Sequence, residues 1–269
     1  MNTQAPVLYI PHGGGPLPLL GDDSHRGLIK FLKSLHKQLP KPEAIILISG
    51  HWEAAFPTLT SSANPELLFD YYGFPAAAYD INYPAPGSPA LAQTIQTALN
   101  KAGIDAKLDA KRGYDHGFFV PLKLMFPNAD IPCVQLSLIQ GLDASQHIQL
   151  GACLSELRQQ NIMIIGSGMS FHNMQALFAE DQTGMKAASD EFNQWLNRIC
   201  TDSTLSAAQK KQALTNWQQA PYASFAHPRE EHLIPLHVCF GAAASTDSSA
   251  KLIFNEELMG HKVSALLWN

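Results

Sequence analysis

The chain has 269 residues, a net charge of -5 and a sequence pI near 6.1. It has no basic excess or Lys/Arg cluster to neutralise phosphates, which excludes nucleic acid as a partner. No apolar stretch approaches the ~20 residues that span a bilayer, and the start MNTQAPVLYIPH lacks the basic and long apolar regions of a secretory signal. The expectation is a cytoplasmic, non-membrane protein.

Apolar runs bounded by Gly, Pro or Asn alternate with amphipathic stretches, the pattern of an α/β protein. In chain order, strands are predicted at Val7–Ile10, Ala44–Ser49, Thr58–Thr60, Ala106–Leu108, Cys133–Leu138, Ile162–Ile165, Leu252–Phe254 and near Val263–Leu267. Helices are predicted at Ser24–Gln38, Ser88–Lys101, Phe119–Phe126, Ala144–Gln159, Met185–Cys200, Ser206–Asn216 and Arg229–Ala242. Ser88 followed by Pro89 is a helix start, and Pro228 before Arg229 reads the same way. No repeat or linker divides the chain. A folded monomer of this mass hides roughly 70–75% of its unfolded surface, so the reading is one domain over residues 1–269. Its core is a central, mostly parallel mixed sheet flanked by helices.

The segment Asp70–Gly87, DYYGFPAAAYDINYPAPG, follows neither period. A loop of this length is functional or disordered, and its aromatic content favours an ordered loop over the edge of the sheet. The four cysteines (Cys133, Cys153, Cys200 and Cys239) form no C-x-x-C pair and sit in apolar contexts, as buried free thiols do.

Several motifs fail. His12 opens HGGG, an oxyanion-hole sequence of some esterases, but no G-x-S-x-G elbow accompanies it. Gly166-Ser167-Gly168 does not extend to G-x-G-x-x-G, because position 171 is Phe. His51-Trp52-Glu53 is half of a zinc deaminase signature without the P-C-x-x-C half.

Placement is what distinguishes four of the eleven histidines. His12 (VLYIPHGGG) and His51 (AIILISGHWE) follow apolar runs. His172 (IMIIGSGMSFH) lies a few residues past a third, and His232 (HPREEHLIPL) sits early in a predicted helix. Ligands of open α/β sheets bind beyond the carboxyl ends of the strands, so these side chains can converge on a metal site there. Neutral imidazole is the commonest metal ligand. His237, five residues after His232, faces about 500° round the helix and reads as core or as support behind the site. His25, His36, His147 and His261 have no sequence neighbours that suggest chemistry and are set aside as ordinary residues of the kind found at surfaces.

PHGGGP, ILISGHWE, YYGFP…YPAPGSPALA, GYDHGFFVPL, IPCVQLSL, GSGMSFHN and HPREEHLIPLHV occur in this order from Pro11 to Val238. On these segments the chain resembles the class III (LigB-type) extradiol ring-cleavage dioxygenases, in their DOPA 4,5-dioxygenase-like branch. The resemblance implies His12, His51 and His232 as metal ligands. It implies His172 as active-site base, and as a further ligand in zinc-loaded members, with His116 as a second catalytic histidine near the substrate. It implies one divalent ion per chain, with Fe(II) expected for activity and Zn(II) as an occupant of purified protein. The partners implied are a small aromatic diol and O₂.

Non-haem Fe(II) oxygenases commonly use two histidines and a carboxylate; here the third ligand is His232, with the adjacent Glu231 as its alternative. Tyr71, Tyr72 and Phe74 are candidates to wall the substrate ring, and Arg112 and Arg229 to hold a substrate carboxylate. Two other readings fit a histidine-rich site: a zinc-dependent hydrolase and a non-catalytic metal-binding protein on the same scaffold.

Overall fold

The computed structural model describes residues 4–179, 182, 184–243 and 249–269. Eight strands form one mixed sheet: β1 (Val7–Pro11), β2 (Ala44–Ala54), β3 (Thr58–Thr60), β4 (Lys107–Asp109), β5 (Cys133–Ile139), β6 (Ile162–Gly168), β7 (Lys251–Leu258) and β8 (His261–Trp268). Their spatial order is β4-β3-β5-β2-β6-β1-β8-β7. The four central strands β5, β2, β6 and β1 are parallel, and β8 joins β1 antiparallel. The helices are α1 (Leu17–Leu20), α2 (Arg26–Leu35), α3 (Pro89–Lys101), α4 (His116–Met125), α5 (Ala144–Ala152), α6 (Met174–Leu177), α7 (Met185–Thr201), α8 (Ala207–Thr215), α9 (Ala223–Ala226) and α10 (Ile234–Ala243). This is the expected single-domain α/β fold with a mostly parallel sheet.

The central strands are continuous apolar runs because both faces are covered. Alternation along β6 shows this directly. A side chain at Gly166 would strike Pro235 and Cys239 of α10, whereas the next residue, Ser167, donates to the Gly117 carbonyl of α4 on the other face. α10 is buried along its whole length, as an apolar helix wedged under a sheet must be. Cys133, Cys200 and Cys239 are buried free thiols as expected, and Cys153 is half-buried.

Three departures from the predicted elements bear on the site. First, β2 does not stop at Ser49. Its pairing with β5 jumps from Ile48↔Leu136 to Glu53↔Leu138, so His51 sits in a bulge inside a strand that runs on to Ala54. A bulge re-aims a side chain out of the pleat. Second, β6 continues through Gly166-Ser167-Gly168, glycines that act as close-approach points for α10 rather than as a turn.

Third, the last predicted helix begins at Ile234 rather than near Arg229. Pro235, in its first turn, is the helix-starting proline, and Pro228 is not. The residues between form a turn closed by Leu233 and Ile234 N–H bonds to the Glu230 carbonyl, and His232 sits in that turn. Among the described residues, no helix is long and apolar enough to cross a membrane.

Candidate metal centre

β1, β6 and β2 are neighbours in the sheet; the ends of β1 and β2 and the turn before α10 bring three of the histidines to one place. His12 follows β1 and continues the ladder, its N–H bonding the Gly168 carbonyl at 3.2 Å. His51 projects from the β2 bulge, its backbone N–H donating to Ser49 Oγ at 3.1 Å. His232 comes from the turn before α10. Its carbonyl accepts from the buried Tyr9 hydroxyl at 2.8 Å and from Met169 N–H at 3.0 Å. A methyl group on Gly168 would lie 2.1 Å from that carbonyl, so only glycine lets the turn seat there.

The three Nε2 atoms meet. His51 Nε2 is 3.2 Å from His12 Nε2 and 3.1 Å from His232 Nε2. Hydrogen bonding on the other side of two of the rings leaves them able to hold a metal. His12 Nδ1 lies 2.8 Å from the Gly13 carbonyl and His232 Nδ1 lies 3.0 Å from Glu231 Oε1. Carbonyl and carboxylate oxygens only accept, so both Nδ1 atoms carry the proton and both Nε2 atoms present lone pairs. Burial, reinforced by the neighbouring imidazoles, pushes the pKa of His12, His51 and His232 well below the ordinary histidine value.

His51 Nδ1 has Asp70 no nearer than 3.7 Å, so its Nε2 is free either to donate to one of these two lone pairs or to turn its own lone pair to a cation shared with them. Metal–nitrogen bonds of 2.0–2.1 Å place two ligand nitrogens about 2.9 Å apart at a right angle and about 3.3 Å apart at a tetrahedral angle. Both separations from His51 Nε2 fall inside that range, as those of neighbouring ligands to one divalent ion would.

His116 is the first residue of α4, behind an N-cap provided by Asp115, whose side chain accepts from Phe118 N–H. Asp70 Oδ1 accepts from both His116 Nδ1 (2.7 Å) and His116 N–H (3.0 Å). The His116 ring packs 3.8 Å, centroid to centroid, from that of His51. Burial pushes the Asp70 carboxyl up, and its bonds to His116 more than reverse this, leaving its pKa below the ordinary value. The other Asp70 oxygen stands 3.7 Å from His51 Nδ1. Asp115 is fully buried, accepting also from Ser49 Oγ, Gln135 Nε2 and Arg112. Burial, with the charge of Asp70, raises its pKa.

His172 stacks on His232 at 3.5 Å between ring centroids, and its Nδ1 lies 3.3 Å from Glu231 Oε1. Glu231 thus bridges the Nδ1 sides of both rings. In this arrangement one Glu231 oxygen backs His232 rather than standing beside its Nε2. A cavity of about 260 Å³ adjoins His172, walled by Asn173, Met174, Pro228 and Arg229 among others.

The structure sorts the remaining candidates. Tyr71 packs 5.7 Å from the His116 ring and 5.4 Å from Phe74, and its hydroxyl donates to the Ala78 carbonyl. The loop is ordered as expected. Tyr72, 92% exposed, points to solvent and walls nothing. Arg112 lies over the Trp52 ring and pairs with Asp115. Arg229 is bound to both oxygens of Glu53, at 2.6 and 2.7 Å, and lies 3.5 Å from Glu231. Both arginines are therefore already partnered.

His237 is core, its ring nitrogens on the Leu214 and Leu233 carbonyls. His25, His147 and His261 are not surface residues: all three are fully buried and hydrogen-bonded. Sequence reasoning also missed Asp70 and Asp115. For Asp115 a signal existed, since Asp immediately before His116 is an N-cap pattern.

A mixed α/β sheet that gathers His12, His51 and His232 beside its strand ends frames a candidate site for a single metal ion. The chain belongs to the LigB family: residues 6–267 match the model described as the catalytic LigB subunit of aromatic ring-opening dioxygenase. Among curated proteins it is 39% identical to the dioxygenase tasH of Hapsidospora irregularis, over 98% of this chain and 85% of that one. It is 38% identical to a 4,5-DOPA dioxygenase extradiol of Beta vulgaris (93% and 90% covered) and 34% identical to one from Escherichia coli K12 (90% and 86% covered). The crystal structure of an uncharacterized E. coli K12 protein, JW3007, superposes with a TM-score of 0.78 at 28% identity, covering 99% of this chain and all of that one.

Proposed function

We propose that this chain is a metal-dependent extradiol dioxygenase that opens the ring of a small catechol, DOPA or a related aromatic diol, with O₂. The observation that carries the reading is the approach of the His12 and His232 Nε2 lone pairs to His51 Nε2, with two further histidines, His116 and His172, set around them. Relatives named 4,5-DOPA dioxygenase extradiol point to the substrate class. His12, His51 and His232 are the ligands in this reading, with Fe(II) in the active form and Zn(II) as an alternative occupant. A bound divalent ion supplies a Lewis acid for both catechol oxygens and a route for electrons from the ring to O₂.

The protein's own groups do the rest. His172, oriented by Glu231, accepts the proton of a catechol hydroxyl and returns it to the opened product. His116, whose Nδ1 is held by Asp70, offers Nε2 to an oxygen of the reacting ring. Tyr71 and Phe74 exclude water from that side. Balanced, one diol and one O₂ give one ring-opened product carrying both oxygen atoms.

The test is oxygen uptake by protein reconstituted anaerobically with Fe(II), across a panel of catechols. The expected result is stoichiometric O₂ consumption with a yellow ring-opened product from at least one of them. No uptake with any catechol, alongside ester or amide turnover with Zn(II), would replace this reading with a hydrolase.

A further inference from the structure

Two of the three candidate ligands have a carboxylate on the Nδ1 side: Glu231 behind His232 at 3.0 Å and Asp70 near His51 at 3.7 Å. His12 has only the Gly13 carbonyl. The other end of that same peptide unit is also held. Gly14 N–H donates to His25 Nε2 at 2.9 Å, and His25 Nδ1 lies 2.9 Å from Asp22 Oδ1. Because His25 Nε2 accepts, its proton is on Nδ1 and points at the carboxylate. The continuous path is Asp22 carboxylate, His25 imidazole, Gly13–Gly14 peptide, His12 imidazole.

We propose that His25 is a positioning residue for the metal centre, acting on His12 through the Gly13–Gly14 peptide, with Asp22 as the charge at the far end. This rests on the reading of His12 as a ligand. An amide whose N–H is donated to a good acceptor becomes a better acceptor at its own oxygen. Holding Gly14 N–H therefore strengthens the bond from His12 Nδ1 to Gly13 O, fixes the His12 ring and makes Nε2 a stronger donor. This is how outer partners tune ligand histidines in metal sites generally. The loop is built for this contact: Gly13 has φ +86°, and a methyl group there would lie 2.8 Å from the His25 ring. His25 is fully buried, whereas its charged partner Asp22 is half-buried.

Two substitutions separate this role from simple packing. His25→Gln places an amide oxygen near the Nε2 position and keeps an acceptor for Gly14 N–H. His25→Asn keeps a partner for Asp22 but leaves Gly14 N–H without one. Co(II) is the probe, read by titration and by its visible absorption band, with the thermal midpoint of the metal-free protein as the folding control. The expected result is that His25→Asn binds Co(II) about 10- to 100-fold more weakly with a shifted band, while His25→Gln stays close to wild type. Asp22→Asn, at a half-buried position, is expected to shift the band with a smaller loss of affinity.

Equal affinity in His25→Asn and His25→Gln, whether at the wild-type level or equally reduced, would overturn the proposal. If neither folds, an Asp22→Asn protein with wild-type affinity and spectrum would overturn it. A wild-type chain that binds no Co(II) would overturn the metal reading itself, and this proposal with it.

Discussion

Replacing His51 with alanine is expected to cost this protein its metal ion while leaving the sheet standing. His51 Nε2 is the nitrogen within 3.2 Å of both other members of the trio, so its loss leaves two ligands that no longer enclose a site. Divalent ions in full four-ligand protein sites are held by roughly 10–16 kcal/mol. An even share is about 3 kcal/mol per ligand, so affinity should fall by about 10²–10³-fold. The fold should survive because His51 lies in the β2 bulge, off the β5 ladder, and its side chain is 22% exposed. Metal content after equilibrium dialysis, with a thermal midpoint for the metal-free protein, checks both halves. Stoichiometric metal in the variant would place the site elsewhere.

His172→Ala should behave in the opposite way, keeping metal and losing turnover. The His172 ring stacks on the face of His232 and shares Glu231 Oε1 with it. Without His172, Glu231 still holds His232 Nδ1, and the trio remains assembled. A general base contributes about 10²–10⁴-fold to rate, and that is the expected fall in kcat with saturating catechol under O₂. An unchanged kcat would move the proton-accepting role to His116, whose free nitrogen also faces the centre. Separating the two variants by metal content distinguishes a ligand from a base, which activity alone does not do.

Most of the sheet was legible because parallel strands buried on both faces are unbroken apolar runs, as in Ala44–Ser49 and Cys133–Leu138. β7 was read as three residues rather than eight because its outer half, Asn255–Glu257, is polar, as suits an edge strand. The end of β6 was missed because Gly166 and Gly168 look like turn residues, yet they are glycine so that α10 and the His232 turn can approach. The start of α10 was misplaced because two prolines, Pro228 and Pro235, carry the same local signal, and only tertiary contacts choose between them.

The site divides along a similar line. Side chains that converge, His12, His51 and His232, were visible as histidines at two strand ends and a helix start, and by family resemblance. Groups that orient them were not. Asp70 opened an aromatic loop whose rings drew the attention, and His25 lay at the start of the predicted helix Ser24–Gln38 without any motif. Glu231 was read as a possible ligand because sequence adjacency cannot say which edge of an imidazole a carboxylate meets. Tyr72 was grouped with Tyr71, although consecutive loop residues point in different directions.

One ion held by three Nε2 atoms is the central expectation for this protein, and anomalous X-ray scattering from a metal-loaded crystal tests it most directly. The predicted result is a single strong peak per chain, about 2.0–2.2 Å from the Nε2 atoms of His12, His51 and His232. A peak coordinated by Glu231 in place of His232, or no peak among these three histidines, would contradict it.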